Sequence, residues 1–498
     1  MDTTKPDKGG WVKKTLKPPD IIALGLCLSA IILWTKILVD KYLRFGYYDW
    51  DLAFFSQATW NLLHGSQYSS LFGLNFFSNH ANFIAYLILP VYALSPHPMT
   101  LVFLKVLSCV GGAFILYKIA KETLGWTPAV LLMFLYLIYP ANIFTVIYEF
   151  DFETLSPVFL FLMFYFFKKE RFIPFLITAL LTIIIKENMP LIVAAFGVYA
   201  LFSRKKNKLL WGVLPLALGL ISFYVLITLV IPSFSSDGNY IYLGQYQSFG
   251  HSPFEIIKAV LSHPLQTLKV LFEPAKLRLL RELFSPLFFL PLLSPHVTAL
   301  SFPIIFQHLL SPAHQGHSIY YQYTSSITPF IFLAAATFLA IARHRLRPFT
   351  FYALIGLMFI FNILNTLSYA KPIVERLYPH IDRLDTARWQ MVRMIPKDAS
   401  VIATFDFLAE LSTRKSLYAF HKIYSDNYRQ FILPDEVTYA LIDPDDPWLQ
   451  QELCADYTKV NNRIREFLLS SDWIIKASAG KIMLLKRDAK PNQKEGSL

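Results

Sequence analysis

The 498 residues are 55% hydrophobic and only 16% charged, with a mean hydropathy of +0.43, whereas soluble globular chains carry about 25% charged residues; a soluble protein is excluded. The formal net charge of +12 does not mark a nucleic-acid binder, because the basic residues gather at the ends of apolar runs and form no basic helix or aromatic-basic motif. Three cysteines, Cys27, Cys109 and Cys454, are too few and too scattered for a disulfide framework, a metal motif or a redox pair.

Lys5, Lys8, Lys13, Lys14 and Lys17 precede the first apolar run, 21–39. It is long enough to span a bilayer and no small-residue cleavage site follows it, so it reads as a retained anchor behind a basic cytoplasmic tail, 1–20. A first external loop, 40–97, follows. Within it, 48–65 is amphipathic and aromatic-rich and 83–94 is apolar but short, which predicts helices along or dipping into the interface. A second span, 99–119, brings the chain back inside. Spans 128–147 and 155–167 enclose the acidic tip YEFDFE, spans 172–185 and 189–202 enclose Lys186, Glu187 and Asn188, and a seventh span, 209–231, ends outside. The basic clusters around Lys168, Arg204 and Arg343 fall in the intervening loops, so the positive-inside bias makes those loops cytoplasmic and the acidic tips external.

A second large external loop, 233–281, is polar and Tyr-rich and holds one or two interfacial helices interrupted by Pro264. Two short, proline-broken apolar stretches, 283–293 and 297–310, are the next span candidates, and 324–342 and 349–367 bracket the basic turn RHRLR. From 369 onward charge becomes frequent. The pattern there is helix 381–394, strand 400–404, helix 407–411, strands 416–419 and 438–442, helix 448–468 and a hairpin at 479–480. The whole reads as an α-helical polytopic membrane protein with about 11 transmembrane helices. Its membrane domain is 21–368, and a small soluble α/β domain, 369–498, lies outside the cell.

Carboxylates beside a bilayer are costly unless solvated or paired, so those at external helix ends are candidate functional groups. Asp49 and Asp51 open the stretch YYDWDLAFFSQATWNLLHG; Glu149, Asp151 and Glu153 crown one hairpin, where alternate spacing puts all three on one side of an extended turn; Lys186 and Glu187 tip the next; His80 starts the short apolar segment 83–94. One cleft lined by these groups, with Asp51 as general base and an acidic cluster (Asp51, Asp151 and Glu153) holding either a divalent cation (Mg or Mn) or a cationic donor group, suits transfer onto a hydroxyl acceptor. Structural readings stand beside these: Asp49 or Asp51 as N-cap, Lys186 and Glu187 as an ion pair with each other, the acidic tip as a solvated loop, and His80 as a helix-start residue. Tyr320 and Tyr323 in YYQY make either an aromatic belt or a platform for lipid or sugar. His296, His308, His314 and His317 lack a tight metal-ligand spacing.

The run YDWDLAFFSQATWNLLHG, His80, the acidic hairpin before Pro157, the KEN tip, the stretch from Tyr323 to Pro329, and LSTRKSLYAF together resemble a membrane family termed domain of unknown function 2079, over about residues 45–490. That family is similar to the GT-C glycosyltransferases, multi-span enzymes that use lipid-phosphate-linked sugars and place a catalytic acid in the first external loop. The resemblance puts that acid at Asp51, with Asp49 beside it, a second acidic site at Asp151 and Glu153, and the usual Lys-Glu pair at Lys186 and Glu187. The chain departs from the pattern at Asn188, where an acid is expected, and at Phe152-Glu153, where a His-containing motif is usual. The resemblance implies a transferase in a bacterial or archaeal cell membrane that takes a sugar from a polyprenyl-phosphate-type donor to a glycan, lipid or protein acceptor, with membrane lipids around it and no nucleic acid. A transporter or lipid-handling protein without transfer chemistry is the alternative, motivated by the proline-broken spans.

Overall fold

The computed structural model describes residues 18–47, 50–378, 385–421, 433–446, 457–469 and 473–488. Its first helix, α1 (Pro18–Leu43), is apolar along its length, and much of its surface, from Ile21 to Leu33, faces outward as a lipid-contacting helix does. Then come α2 (Asp51–Leu63), a two-residue hairpin β1–β2 (Tyr68–Ser69, Leu74–Asn75), a single turn α3 (Phe76–Asn79), and α4 (Ile84–Leu94). The 27-residue α5 (Pro98–Leu124) returns alongside α1. At the far end of that pair, Asp20 accepts hydrogen bonds from Tyr117 at 3.0 Å and Lys121 at 2.8 Å.

The expected span 128–147 is broken in two. Tyr139 adopts an extended conformation before Pro140, as the residue preceding a proline tends to, so α6 (Trp126–Leu137) and α7 (Pro140–Ile147) meet at 48°. Two helical hairpins follow: α8 (Ser156–Lys168) with α9 (Phe172–Ile183), then α10 (Met189–Phe202) with the continuous run Leu209–Phe234, which holds α11 (Leu214–Val225) and α12 (Ile231–Phe234) joined by π-helical turns. Here α10 and α11 approach backbone to backbone. A Cβ at Gly219 would lie 2.4 Å from the Pro190 carbonyl oxygen and one at Gly197 2.4 Å from the Leu216 nitrogen, the small-residue contact that membrane helices use where no hydrophobic effect drives them together.

The segment 253–284 forms three proline-started helices, α13 (Pro253–Ser262), α14 (Pro264–Leu271) and α15 (Pro274–Phe284). Phe254, Leu261 and Leu265 on them are three-quarters exposed, as expected of helices in a membrane interface. Neither span candidate, 283–293 or 297–310, forms a single regular helix, and neither is among the described helices long and apolar enough to cross a membrane. Phe288 and Phe289 both take left-handed backbone angles, φ 53° and 57°, which breaks the first into 3₁₀ turns; α16 (Pro295–Thr298) and α17 (Phe302–Leu310) make up the second. With the 3₁₀ turn Ala299–Ser301 between them, these make one helical run from Pro295 to Leu310, whose rise of roughly 25 Å falls short of a hydrocarbon core of about 30 Å. Finally α18 (Thr328–Arg345) and α19 (Pro348–Ser368) form a long pair, followed by α20 (Ala370–Leu377). Among the described residues, five helices are long and apolar enough to cross a membrane, six if the bent pair counts as one span, and α9 and α10 are shorter apolar helices.

The C-terminal region contains α21 (Asp385–Met394), α22 (Phe405–Leu408), α23 (Tyr457–Leu469) and a five-stranded sheet of order β4-β3-β5-β7-β6, built from β3 (Val401–Ala403), β4 (Leu417–Ala419), β5 (Tyr439–Ile442), β6 (Trp473–Ala479) and β7 (Ile482–Arg487). β3 runs parallel to β4 and β5, whereas β7 runs antiparallel to β5 and β6. The expected helices 381–394 and 448–468 lie partly outside the described residues, and the expected hairpin at 479–480 joins β6 to β7. Arg388 anchors the connections by pairing with Asp406 at 2.9 Å and Asp443 at 2.6 Å. The sheet rests on the first loop: Phe45, Ala53 and Leu71 share a core with Met391, Phe407 and Leu417. Ser70 Oγ receives the Leu417 N–H and donates to its carbonyl, both at 2.8 Å.

Candidate active site

The hairpin tips that are far apart in sequence meet beside α2. Lys186, in the connection between α9 and α10, places its ammonium 3.1 Å from both Asp151 Oδ2 and Glu153 Oε2, and all three side chains are at most 6% exposed. Burial alone would lower a lysine, but the surrounding carboxylates push Lys186 well above its usual range; it stays charged. Burial raises the Glu153 carboxyl, and Asp151 beside it adds to the rise. Glu153 also accepts from Ser326 Oγ at 2.8 Å. The repulsion expected within YEFDFE is thus relieved by a protein cation supplied from the next hairpin.

Asp51 stands at the first residue of α2. Gln322 Nε2 donates to Asp51 Oδ2 at 3.1 Å and, more weakly, to Asp151 Oδ2 at 3.5 Å, so a neutral amide separates the two carboxylates. Asp51 does not cap its helix: the N-cap is Trp50 and no side-chain cap bond forms there. Instead Glu149 Oε2 takes the Leu52 N–H at 2.9 Å, a carboxylate at a helix N-terminus where backbone donors are unsatisfied. Glu149 is held in turn from below, since Lys105 donates to the Tyr148 and Glu149 carbonyls at 2.8 and 3.0 Å and Lys41 to the Ile147 carbonyl at 2.6 Å.

Glu187 turns the other way. Its carboxylate accepts from His80 Nδ1 at 2.8 Å, the Tyr240 hydroxyl at 2.6 Å and the Ala81 N–H at 3.1 Å. Burial by itself would raise this carboxyl, but His80, Lys186 and Tyr240 hold it at about 2. The His80 ring stacks on Tyr242 with centroids 4.5 Å apart, and Tyr242 bonds to Asn79. Loop 240–246 is thereby fastened over the α3 turn.

These groups share one cavity of about 500 Å³. Asp51, Asp151, Glu153, Lys186, Glu187 and His80 line its polar end, and Phe223, Ile227, Ile256, Ile257, Phe306 and Leu310 line an apolar end between α11, α13 and α17. A larger pocket of about 760 Å³ lies at the opposite helix ends, among Glu122, Lys168, Glu170, Arg204, Lys205 and His344. It holds no carboxylate cluster of the first kind, so volume does not decide between the two.

The structure thus brings together Asp51, His80, Asp151, Glu153, Lys186, Glu187 and Tyr323, whose ring lies 5.7 Å from the Lys186 ammonium. It separates two others: Glu149 serves α2 and does not share a face with Asp151 and Glu153, while Tyr320 packs edge-on against Phe144 and Tyr369 outside the cavity wall. Asp49 lies outside the described residues. Lys186 and Glu187 are each paired elsewhere instead of with one another. Among the described residues no three His, Cys, Asp or Glu side chains stand close enough to hold a metal ion; the Asp51, Asp151 and Glu153 set is interrupted by Lys186 and Gln322. His317 is spent on the His308 and Ser311 carbonyls. Three cavity residues are not singled out by the sequence, Gln322, Tyr240 and Tyr242, and His308 enters there only as one of four histidines without metal-ligand spacing. The aromatic run around Gln322 drew attention to its tyrosines, and the amide between them was passed over.

A family profile described as predicted membrane protein (DUF2079) matches residues 41–484. The chain belongs to this family. The DUF2079 chain is also similar in structure to ArnT from Cupriavidus metallidurans, solved with undecaprenyl phosphate bound, at 10% identity and a TM-score of 0.51, with 91% of this chain and 97% of that chain covered. That likeness shows the fold alone, GT-C-like as the sequence resemblance implies. A zinc- and sulfate-bound oligosaccharyltransferase from Archaeoglobus fulgidus matches at 12% identity and a TM-score of 0.40, over 87% of this chain and 70% of that one, too distant a likeness to weigh further. A search of curated proteins found no match.

Proposed function

We propose that the protein is a membrane-embedded glycosyltransferase that moves a sugar from a polyprenyl-phosphate-type lipid to an acceptor hydroxyl on the extracytoplasmic face. The observation that carries this reading is one cavity with five charged side chains at one end and an apolar wall at the other, the shape that an amphipathic lipid-phosphate sugar requires. The ArnT structure of the same fold holds undecaprenyl phosphate, which supports a lipid of that class as donor. Asp51 is the general base. It takes the proton of the acceptor hydroxyl as that oxygen bonds to the anomeric carbon, while the bond from that carbon to the phosphate oxygen breaks and the lipid phosphate leaves with the electron pair, inverting the centre. Lys186 offsets the charge that gathers on the leaving phosphate. Asp151 and Glu153 hold Lys186 in position.

The sidedness follows from charge. Lys168, Arg204 and Lys205 line the opposite end of the bundle, so the positive-inside bias turns the carboxylate cavity and the C-terminal sheet outward. A reporter fused to the C-terminus and found in the cytoplasm would overturn this orientation. Asp51→Asn, reconstituted in liposomes with a labelled polyprenyl-phosphate sugar, should keep its elution profile and thermal stability and lose about 10²- to 10⁴-fold in transfer rate. Full turnover in that variant would sink the assignment of Asp51, and substrate flux without product would favour transport.

A further inference from the structure

Four residues that line the cavity each hold one buried polar atom without a hydrogen-bond partner among the described residues: Asn188 Oδ1, Gln307 Oε1, His308 Nε2 and Gln322 Oε1. Asn188 and Gln322 are only 5% and 2% exposed. None of the four is accounted for by the catalytic reading, and each unmet buried acceptor carries a desolvation cost that a bound partner relieves.

Their orientations are fixed by what surrounds them. Gln322 spends its Nε2 on Asp51 and Asp151, which turns its oxygen the other way. Asn188 is the N-cap of α10, yet its side chain makes no cap bond, because Pro190 offers no N–H and the Leu191 N–H already bonds to the Asn188 backbone carbonyl at 3.1 Å. Gln307 and His308 sit on α17, whose Gln307 carbonyl accepts from Tyr246 at 3.3 Å, so loop 240–246 clamps this turn of helix to the cavity. The carboxylates nearby are engaged by Lys186, His80 and Tyr240.

Three amide oxygens can only accept hydrogen bonds, and an imidazole nitrogen adds one more polar position. A ligand that satisfies them brings several donors within a small volume. We infer that Asn188, Gln307, His308 and Gln322 form a subsite that reads the hydroxyl groups of the sugar ring carried by the lipid donor. This inference rests on the glycosyltransferase reading and deepens it: the charged cluster handles proton and phosphate, and a separate set of neutral acceptors recognises the sugar. It also gives Asn188 a purpose at a position where family resemblance led to an acid. A carboxylate there would add a further negative charge beside Glu187, whereas an amide offers an acceptor without one.

The test compares lipids that differ only in the sugar, using the full chain in detergent and native mass spectrometry. The probes are bare undecaprenyl phosphate and its glucosyl, galactosyl, mannosyl and arabinosyl derivatives. Wild-type protein should bind the best of the four glycosylated lipids more tightly than the bare one, and Asn188→Leu and Gln307→Leu should each cut that preference by about tenfold while leaving bare-lipid affinity unchanged. Unchanged preference in both variants would overturn the subsite and leave the donor reading standing, as would equal binding of all five lipids by the wild type. Loss of both bare and glycosylated lipid in each variant would also overturn it, since the side chains would then be structural. Failure of the wild type to bind any of the five would remove the donor reading and the subsite together.

Discussion

At the basic end of the helix bundle, Lys169 lies 2.7 Å from Glu122 and Lys205 lies 3.0 Å from Glu170, with the Glu170 side chain 67% exposed. At the carboxylate end, Lys186 lies 3.1 Å from Asp151 and Glu153 with every partner sealed from solvent. The distances are alike and the environments are not. Water screens the first pairs and leaves them worth little, whereas the second cluster is expensive to break because a bare charge would remain in a dry place. Ion pairs at one end therefore mark a solvated surface, and at the other they hold the buried carboxylates of the cavity in register.

That contrast is open to direct attack. Lys186→Met strands Asp151 and Glu153 and should cost about 3–5 kcal/mol of stability in thermal unfolding, with part recovered when Glu153→Gln is added; a small loss would show that water reaches the cluster. Next in size is the pH response of Glu187. Its carboxyl is held at about 2 against an ordinary 4.5, so the stability it adds, on the order of 3 kcal/mol, is present above pH 4.5 and fades as pH falls toward 2. Unfolding profiles of the wild type should show that acid-side loss, and Glu187→Gln should flatten it. Glu149→Ala removes the bond to the Leu52 N–H and should cost about 1 kcal/mol together with a drop in transfer activity, since Asp51 is the first residue of the helix that bond begins. Smallest is Glu122→Gln at the basic end, expected below about 1 kcal/mol and insensitive to added salt once the pair is gone; a loss as large as that of Lys186→Met would erase the distinction between the ends.

Much of the candidate site could be read from residue order, because an ionisable side chain beside an apolar run is conspicuous. Asp51, Asp151, Glu153, Lys186, Glu187 and His80 were legible for that reason, and the long helices α1, α5, α18 and α19 were legible from uninterrupted hydropathy. What stayed hidden depends on partners distant along the chain. Nothing local reveals that Glu149 reaches α2 while Asp151 and Glu153, two and four residues on, face Lys186. Amides carry no charge and break no pattern, so Gln322 and Gln307 gave no sign. The stretch 283–293 reads as a span candidate because hydropathy does not register two left-handed phenylalanines, and the break before α7 is hidden from hydropathy in the same way. The C-terminal strands were visible through their β-branched and aromatic residues, but their seat on Ser70 and Ala53 was not.

The bond between Glu149 and the Leu52 N–H joins residues 97 positions apart, and this sets an order of events during biogenesis. The segment that carries Asp51 leaves the ribosome well before the carboxylate that starts its helix, and before α7, whose last carbonyl Lys41 binds. Until that later hairpin is inserted, the loop has no fixed beginning to its helix and Asp51 has no fixed address. The geometry around Asp51 therefore arrives as a product of assembly.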